Sequence, residues 1–175
     1  MAQLVDGVHK YAINTGSSHL PPTFESVEKE SDMLVQPYLM FGGRCEEAIE
    51  FYRKSVGAEV EMLMRFKEAP DAPPPGMMPA NWGDKVMHAC LKLGDTQVLA
   101  SDGCETTSNF QGFSLALSVT SEADAARKFG ALSDGGKVTM PLGKTFFAKS
   151  FGMVTDRFGI NWMVILPAEM AAKAA

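Results

Sequence analysis

Apolar and polar residues follow two different periods along the chain, and the switches between them mark the elements. Met33 opens the first strongly patterned stretch, and 34–41 reads as a buried strand. In 44–56, Cys45, Ala48, Ile49, Tyr52 and Val56 recur at helical spacing, with Glu46, Glu47, Glu50, Arg53 and Lys54 opposite. Gly57 stands where a helix C-cap glycine belongs. Residues 58–67 predict a strand in which the acids Glu59 and Glu61 alternate with Val60 and Met62. A long loop over 68–84 carries Pro70, Pro73, Pro74, Pro75 and Pro79, and 85–93 with 96–102 then form a hairpin through Gly94-Asp95.

The second half repeats the order. Residues 112–119 alternate as a strand. The stretch 121–134 predicts a helix with Ser121 as N-cap, Asp124 three residues on, and an apolar stripe of Ala125, Ala126, Phe129 and Leu132. Gly135-Gly136 stops it. Strands follow at 137–142, 151–156 and 160–166, the last two joined by a turn at Arg157-Phe158-Gly159.

The pattern is therefore β-α-β-β-β twice, at a separation of about 75 residues, which is an internal structural repeat. Neither half is long enough to bury a good core alone, so the two sheets are expected to pack together. The fold expected is α+β: two βαβββ modules, 33–102 and 112–167, forming paired curved mixed sheets with helices outside and a concave inner face. Such a face is where small ligands usually bind. Residues 1–32 read as a loosely ordered extension, with a short strand over 8–13 as the alternative, and 168–175 as a tail that frays or adds a helical turn.

Charge and composition narrow the function. The formal charge is −5, with 16 Lys and Arg scattered among 21 acids, which argues against nucleic-acid or anionic-membrane partners. No apolar run reaches the length that spans a bilayer, and Asp6, His9 and Lys10 interrupt the apolar centre a signal peptide needs. Three cysteines, Cys45, Cys90 and Cys104, without metal-type spacing suggest reduced thiols and a cytoplasmic protein.

Several segments resemble the PhnB-like branch of the vicinal oxygen chelate (glyoxalase/bleomycin-resistance/dioxygenase) superfamily. They are Pro37-Tyr38-Leu39, Ala48-Ile49-Glu50-Phe51-Tyr52, Gly57-Ala58-Glu59, His88-Ala89, Leu93-Gly94-Asp95 and Ser101-Asp102. The clearest is Gly152-Met153-Val154-Thr155-Asp156-Arg157-Phe158-Gly159, followed by Asn161-Trp162-Met163. The resemblance spans 33–167 and implies a homodimer. In the superfamily's metal enzymes, His and Glu on inner strands hold a divalent ion that polarises paired substrate oxygens. Aligned on those strands, this chain places Pro37, Phe113 and Met163 at ligand positions and offers Leu99, Ala100 and Ser101 before Asp102 on the fourth. Pro, Phe and Met do not suit a hard or borderline divalent cation, so no metal site and no cofactor are expected. PhnB-like proteins are often described as relatives of a demethylubiquinone methyltransferase. Gly42-Gly43 precedes a helix but lacks the further glycine of a loop that cradles S-adenosylmethionine.

The candidate site residues follow from this. His88 shares a strand face with Val86 and Cys90 and is the candidate general base, with Asp102 or the Ser101 hydroxyl as its partner. A hydrogen-bonded structural histidine is the competing reading. Tyr38, Ser101, Phe113, Trp162 and Met163 are expected to line the ligand cavity, and Trp162 to stack on a planar ligand. His9 and His19 read as solvated, Cys45 and Cys90 as packing, and Cys104 as a loop thiol. Twelve Met and eleven Phe suit a core between two sheets and equally an adaptable cavity, with Met62, Met64, Met87 and Phe146 on or beside strands. The proline-rich loop fits a cavity cover, a dimer contact or a mobile surface segment.

Three functions remain in view. The first is a protein that binds an unidentified small molecule without metal. The second is a metal-dependent lyase, isomerase or dioxygenase-like enzyme with a non-standard site built on His88 and Asp102. The third is a structural or regulatory homodimer with a filled cavity.

Overall fold

The computed structural model describes residues 34–71, 74 and 76–168. The extension 1–32 and the tail beyond residue 168 lie outside the described residues.

Each module builds a four-stranded mixed sheet. In the first, β1 (Tyr38–Met40), β2 (Glu59–Arg65), β3 (Val86–Leu93) and β4 (Thr96–Ser101) stand in the order β1-β4-β3-β2. In the second, β5 (Leu115–Ser118), β6 (Lys137–Gly143), β7 (Ala148–Thr155) and β8 (Asn161–Pro167) stand in the order β5-β8-β7-β6. The first strand of each module pairs parallel with its last, and the other pairings are antiparallel. Parallel pairing of β1 with β4 and β5 with β8 requires a long crossover, and the helices α1 (Cys45–Ser55) and α2 (Glu122–Ser133) lie on those crossovers. Two short 3-10 turns, Phe66–Glu68 and Trp82–Asp84, bracket the proline-rich loop.

The helices begin where their sequences allow. Ser121 caps α2, its hydroxyl accepting the Asp124 N–H at 3.1 Å. Arg44, at the corresponding place on α1, has no capping side chain. Asp102 supplies the missing acceptor from the end of β4, taking the Cys45 N–H at 2.6 Å.

The strand at 34–41 shortens to Tyr38–Met40, because Pro37 has no N–H to donate and β4 is its sole partner in the sheet. Ladder bonds from Leu99 N–H to Pro37 O and from Phe41 N–H to Ser101 O still extend the pairing by one residue each way. The seventh strand begins three residues earlier than its pattern suggests. Its first inward-packed residues, Ala148 and Ser150, are too small to mark a hydrophobic alternation.

The core lies on the helix side of both sheets. Leu39, Ala89, Leu91, Val98 and Ala100 pack toward Ala48, Ile49 and Tyr52 of α1, and Val154, Trp162 and Val164 belong to the same buried cluster. Aromatic rings join the modules there, with Phe158 edge-on to Phe41 at 5.9 Å and Tyr52 against Trp162 at 5.5 Å. At Gly152 a Cβ would meet the Phe129 ring of α2 at 2.7 Å, so helix and sheet approach there only because the residue is glycine.

Strand alternation leaves the opposite faces open. On the first sheet this inner face carries Tyr38, Leu99, Cys90 and Met62 in one register row, with His88 paired to Met64 beside it. On the second it carries Ala116, Met163, Met153 and Met140 in one row. Met62, Met64, Met140, Met153 and Met163 therefore lie on these open faces, and Met40 is 56% exposed.

Candidate functional site

On the inner face of the first sheet, the Tyr38 hydroxyl and His88 Nδ1 are hydrogen-bonded at 3.0 Å, and their rings lie 5.6 Å apart. Tyr38 reaches His88 diagonally, across the row in which it pairs with Leu99. With the neutral ring's proton on Nε2, the phenol donates to Nδ1 and Nε2–H is the ring's remaining donor. Tyr38 is 42% exposed, so the pair is open to a ligand.

A second polar group sits on the same face. Gln36 donates to Gln97 Oε1 at 2.7 Å, and Gln97 Nε2 donates to Glu61 Oε2 at 2.7 Å. The Cys90 thiol also points at Glu61 Oε2, 3.4 Å away. Desolvation, then the Glu61 carboxylate, raises the Cys90 thiol above its ordinary pKa. Simple alternation would set Glu61 on the face opposite Met62. Val60 pairs with Leu91 and Met62 with Cys90, so Glu61 is the extra residue of a bulge between them, which turns it onto the inner face beside Met62. Cys90, expected as packing, stands beside it.

The structure does not bring His88 and Asp102 together. Asp102 is buried on the helix side, where its two carboxylate oxygens accept the N–H groups of Cys45 at 2.6 Å and Val86 at 2.7 Å. It ties the start of α1 to the start of β3, and the partner of His88 is Tyr38. Ser101 is 3% exposed, and its hydroxyl accepts the Gly103 N–H at 3.1 Å. Trp162 also leaves the expected lining. It is 2% exposed on the core side of β8, and its indole N–H donates to Asp156 Oδ2 at 2.8 Å. Met163, the next residue, faces the open side. Phe113 lies edge-on to Phe110, and its carbonyl accepts from Asn161 at 3.5 Å.

Asp156 is the polar centre that sequence reasoning passed over. Its carboxylate accepts the Phe158 and Ile160 N–H groups at 2.9 and 3.0 Å, closing the turn between β7 and β8. It also accepts the Tyr52 hydroxyl at 2.7 Å and the Trp162 indole. Burial, then the Asp156 charge, pushes the Tyr52 phenol far above its ordinary pKa. These contacts account for the Asp156–Trp162 stretch as a structural signature.

Other concavities lie elsewhere. A cleft of about 520 Å³ on the helix side is lined by Glu46, Glu47, Arg65, Asp84 and Lys85, whose charges are largely answered locally. Arg65 bonds Glu46 at 2.7 Å and holds its carboxyl below the usual range. A groove of about 210 Å³ between the modules, lined by Pro37, Val98, Leu115, Leu117 and Trp162 among others, has no titratable side chain. Part of the proline-rich loop is pinned: Trp82 packs on Gly43 and donates to Gly103 O at 2.8 Å.

The side chains at the positions aligned with the superfamily's metal ligands are poor donors for a hard or borderline divalent cation. Pro37 engages the sheet through its carbonyl, Phe113 packs on a ring, and Met163 offers a soft thioether. Among the described residues, no three or more His, Cys, Asp and Glu gather as metal ligands would. Gly42 and Gly43 both adopt positive φ, and added Cβ atoms would meet the Thr107 backbone at 2.9 Å and Trp82 at 3.0 Å. That turn is packed by protein and does not fit S-adenosylmethionine.

A family model described as 3-demethylubiquinone-9 3-methyltransferase matches residues 34–165. Protein YjdN of Escherichia coli is 32% identical over 140 residues, covering 75% of this chain and 94% of YjdN. The crystal structure of protein PA1353 from Pseudomonas aeruginosa is 43% identical, with a TM-score of 0.67 over 77% of this chain and 98% of that one. A putative 3-demethylubiquinone-9 3-methyltransferase, PhnB protein, from Bacillus cereus is 26% identical, with a TM-score of 0.63 over 77% and 99%. A glyoxylase/bleomycin resistance protein/dioxygenase domain from Frankia, 16% identical with a TM-score of 0.53 over 77% and 94%, shares the fold. With two βαβββ sheets, the motif closing on Trp162 and these relatives in agreement, the chain belongs to the PhnB-like 3-demethylubiquinone-9 3-methyltransferase family and has the glyoxalase/bleomycin-resistance fold.

Proposed function

We propose that this protein binds a small molecule on the inner face of its first sheet, without a metal ion, and does so as a homodimer. The observation that carries the reading is the Tyr38–His88 hydrogen bond, set on an open face beside Met62 and Met64. Polarisable thioethers and an aromatic ring supply adaptable apolar contact, and one oriented hydrogen-bonding pair supplies direction. The exposed apolar side chains Met40, Met62, Met140 and Phe147 support a second copy as the cover of the open faces.

The test is a thermal-shift screen of small organic ligands on the wild type, His88→Ala and Tyr38→Phe, each with and without EDTA. A ligand that stabilises the wild type is expected to lose about tenfold in affinity in His88→Ala, the scale of one oriented hydrogen bond. EDTA is expected to leave its binding unchanged. Ligands that bind all three proteins equally would remove this face from the reading, and binding abolished by EDTA would redirect it to a metal-dependent enzyme.

A further inference from the structure

We propose that Glu61 receives the cationic group of the ligand, an ammonium carried on an apolar body. This rests on the reading that the inner face binds a small molecule, and it names the chemical class.

Three observations carry it. First, the backbone aims the carboxylate: the bulge at Glu61 sets it on the same face as Met62, opposite Cys90, where regular alternation would turn it away. Second, the carboxylate is held in place. The Gln97 amide oxygen is occupied by Gln36, so its N–H₂ is directed to Glu61 Oε2, and the Cys90 thiol meets the same oxygen. Oε1 takes part in none of these bonds. A receptor oxygen fixed before the ligand arrives loses little entropy on binding.

Third, Glu61 has no basic partner among the described residues, whereas several other acids are already neutralised. Glu46, Glu47, Glu50, Asp84, Asp124 and Asp134 are each within 4 Å of a lysine or arginine nitrogen. Asp102 and Asp156 are satisfied by backbone N–H groups, with Tyr52 and Trp162 adding to Asp156. Among the described residues no lysine or arginine forms an ion pair with Glu61. Lys92, two residues beyond Cys90 on the same strand face, is paired in register with Glu59.

The surroundings suit an organic cation. Met62 and Met64 follow Glu61 on the same strand and present polarisable sulfur on the inner face. An anionic ligand would meet an unneutralised carboxylate, whereas the net charge of −5 draws cations to the molecule.

The experiment is calorimetric titration of the full chain at low salt with three probes of one shape: benzyltrimethylammonium, benzoate and benzyl alcohol. The wild type is expected to bind the ammonium about tenfold more tightly than either comparison probe, the scale of one charge-assisted contact. Glu61→Gln is expected to erase that preference, and Gln97→Met to reduce it severalfold by releasing the carboxylate. Thermal melts of both variants establish that they are folded. A wild type that binds benzoate or benzyl alcohol as tightly as the ammonium overturns the cation assignment and leaves the small-molecule reading standing. So does a preference that survives Glu61→Gln. No heat from any probe up to roughly 10 mM counts against both.

Discussion

Asp156 shows how one side chain serves several elements. Its carboxylate is 4% exposed yet accepts four donors: two turn amides, an indole and a phenol from the other module. Replacing it with alanine strands those donors in the interior, and Asp156→Ala is expected to lose about 3–5 kcal/mol in urea unfolding. Tyr52→Phe removes one bond to a charged acceptor and is expected to lose about 2 kcal/mol in the same measurement. The sequence around Asp156 was recognisable as a family mark, but its physical role was not legible. The phenol it binds lies 104 residues away, and no local pattern announces such a partner. Trp162 and Asp102 were misplaced for a related reason: which face of a strand is the cavity side is settled by register with its neighbours. Periodicity says only that the two faces differ.

At the scale of elements, helical periodicity was the most readable signal. The stretch 44–56 contains α1 within one residue at each end, and Ser121 caps α2 as its sequence suggests. The two helices differ in how they begin, and that difference is measurable. Ser121→Ala removes a local cap and is expected to cost about 1 kcal/mol. Asp102→Ala removes an acceptor shared by Cys45 and Val86 in the buried interior, and about 3 kcal/mol is expected. Chemical denaturation of the two variants gives the comparison, and equal losses would contradict the assignment of Asp102 as a cross-element cap. The bulge that turns Glu61 was not legible, because Glu59-Val60-Glu61-Met62 alternates perfectly and a register shift leaves no mark in such a run. That one residue of slip hid Glu61 from the alternation, while Tyr38 and His88 were legible from the segments Pro37-Tyr38-Leu39 and His88-Ala89.

For the whole molecule, the repeat of β-α-β-β-β was visible from the order of elements, and the two sheets reproduce it strand for strand. What the order could not reveal is the division of labour between the open faces. The first carries Tyr38, His88, Glu61 and Gln97, and the second a row of Met140, Met153 and Met163. Those apolar faces lead to an expectation about assembly: sedimentation equilibrium is expected to give about twice the 18.9 kDa chain mass. Met140→Glu and Met153→Glu together are expected to shift it toward the monomer, and an unshifted wild-type monomer mass would set the homodimer aside. The bond from Tyr52 to Asp156 also bears on how the protein is made. At roughly 5–20 residues per second on the ribosome, the 104 residues between them take about 5–20 s to synthesise. For about the second half of that interval the first module is already synthesised, with its tyrosine lacking its acceptor and its aromatic surface lacking its cover. A nascent chain of this protein is therefore most in need of chaperone protection midway through its own translation, before the second half exists to complete it.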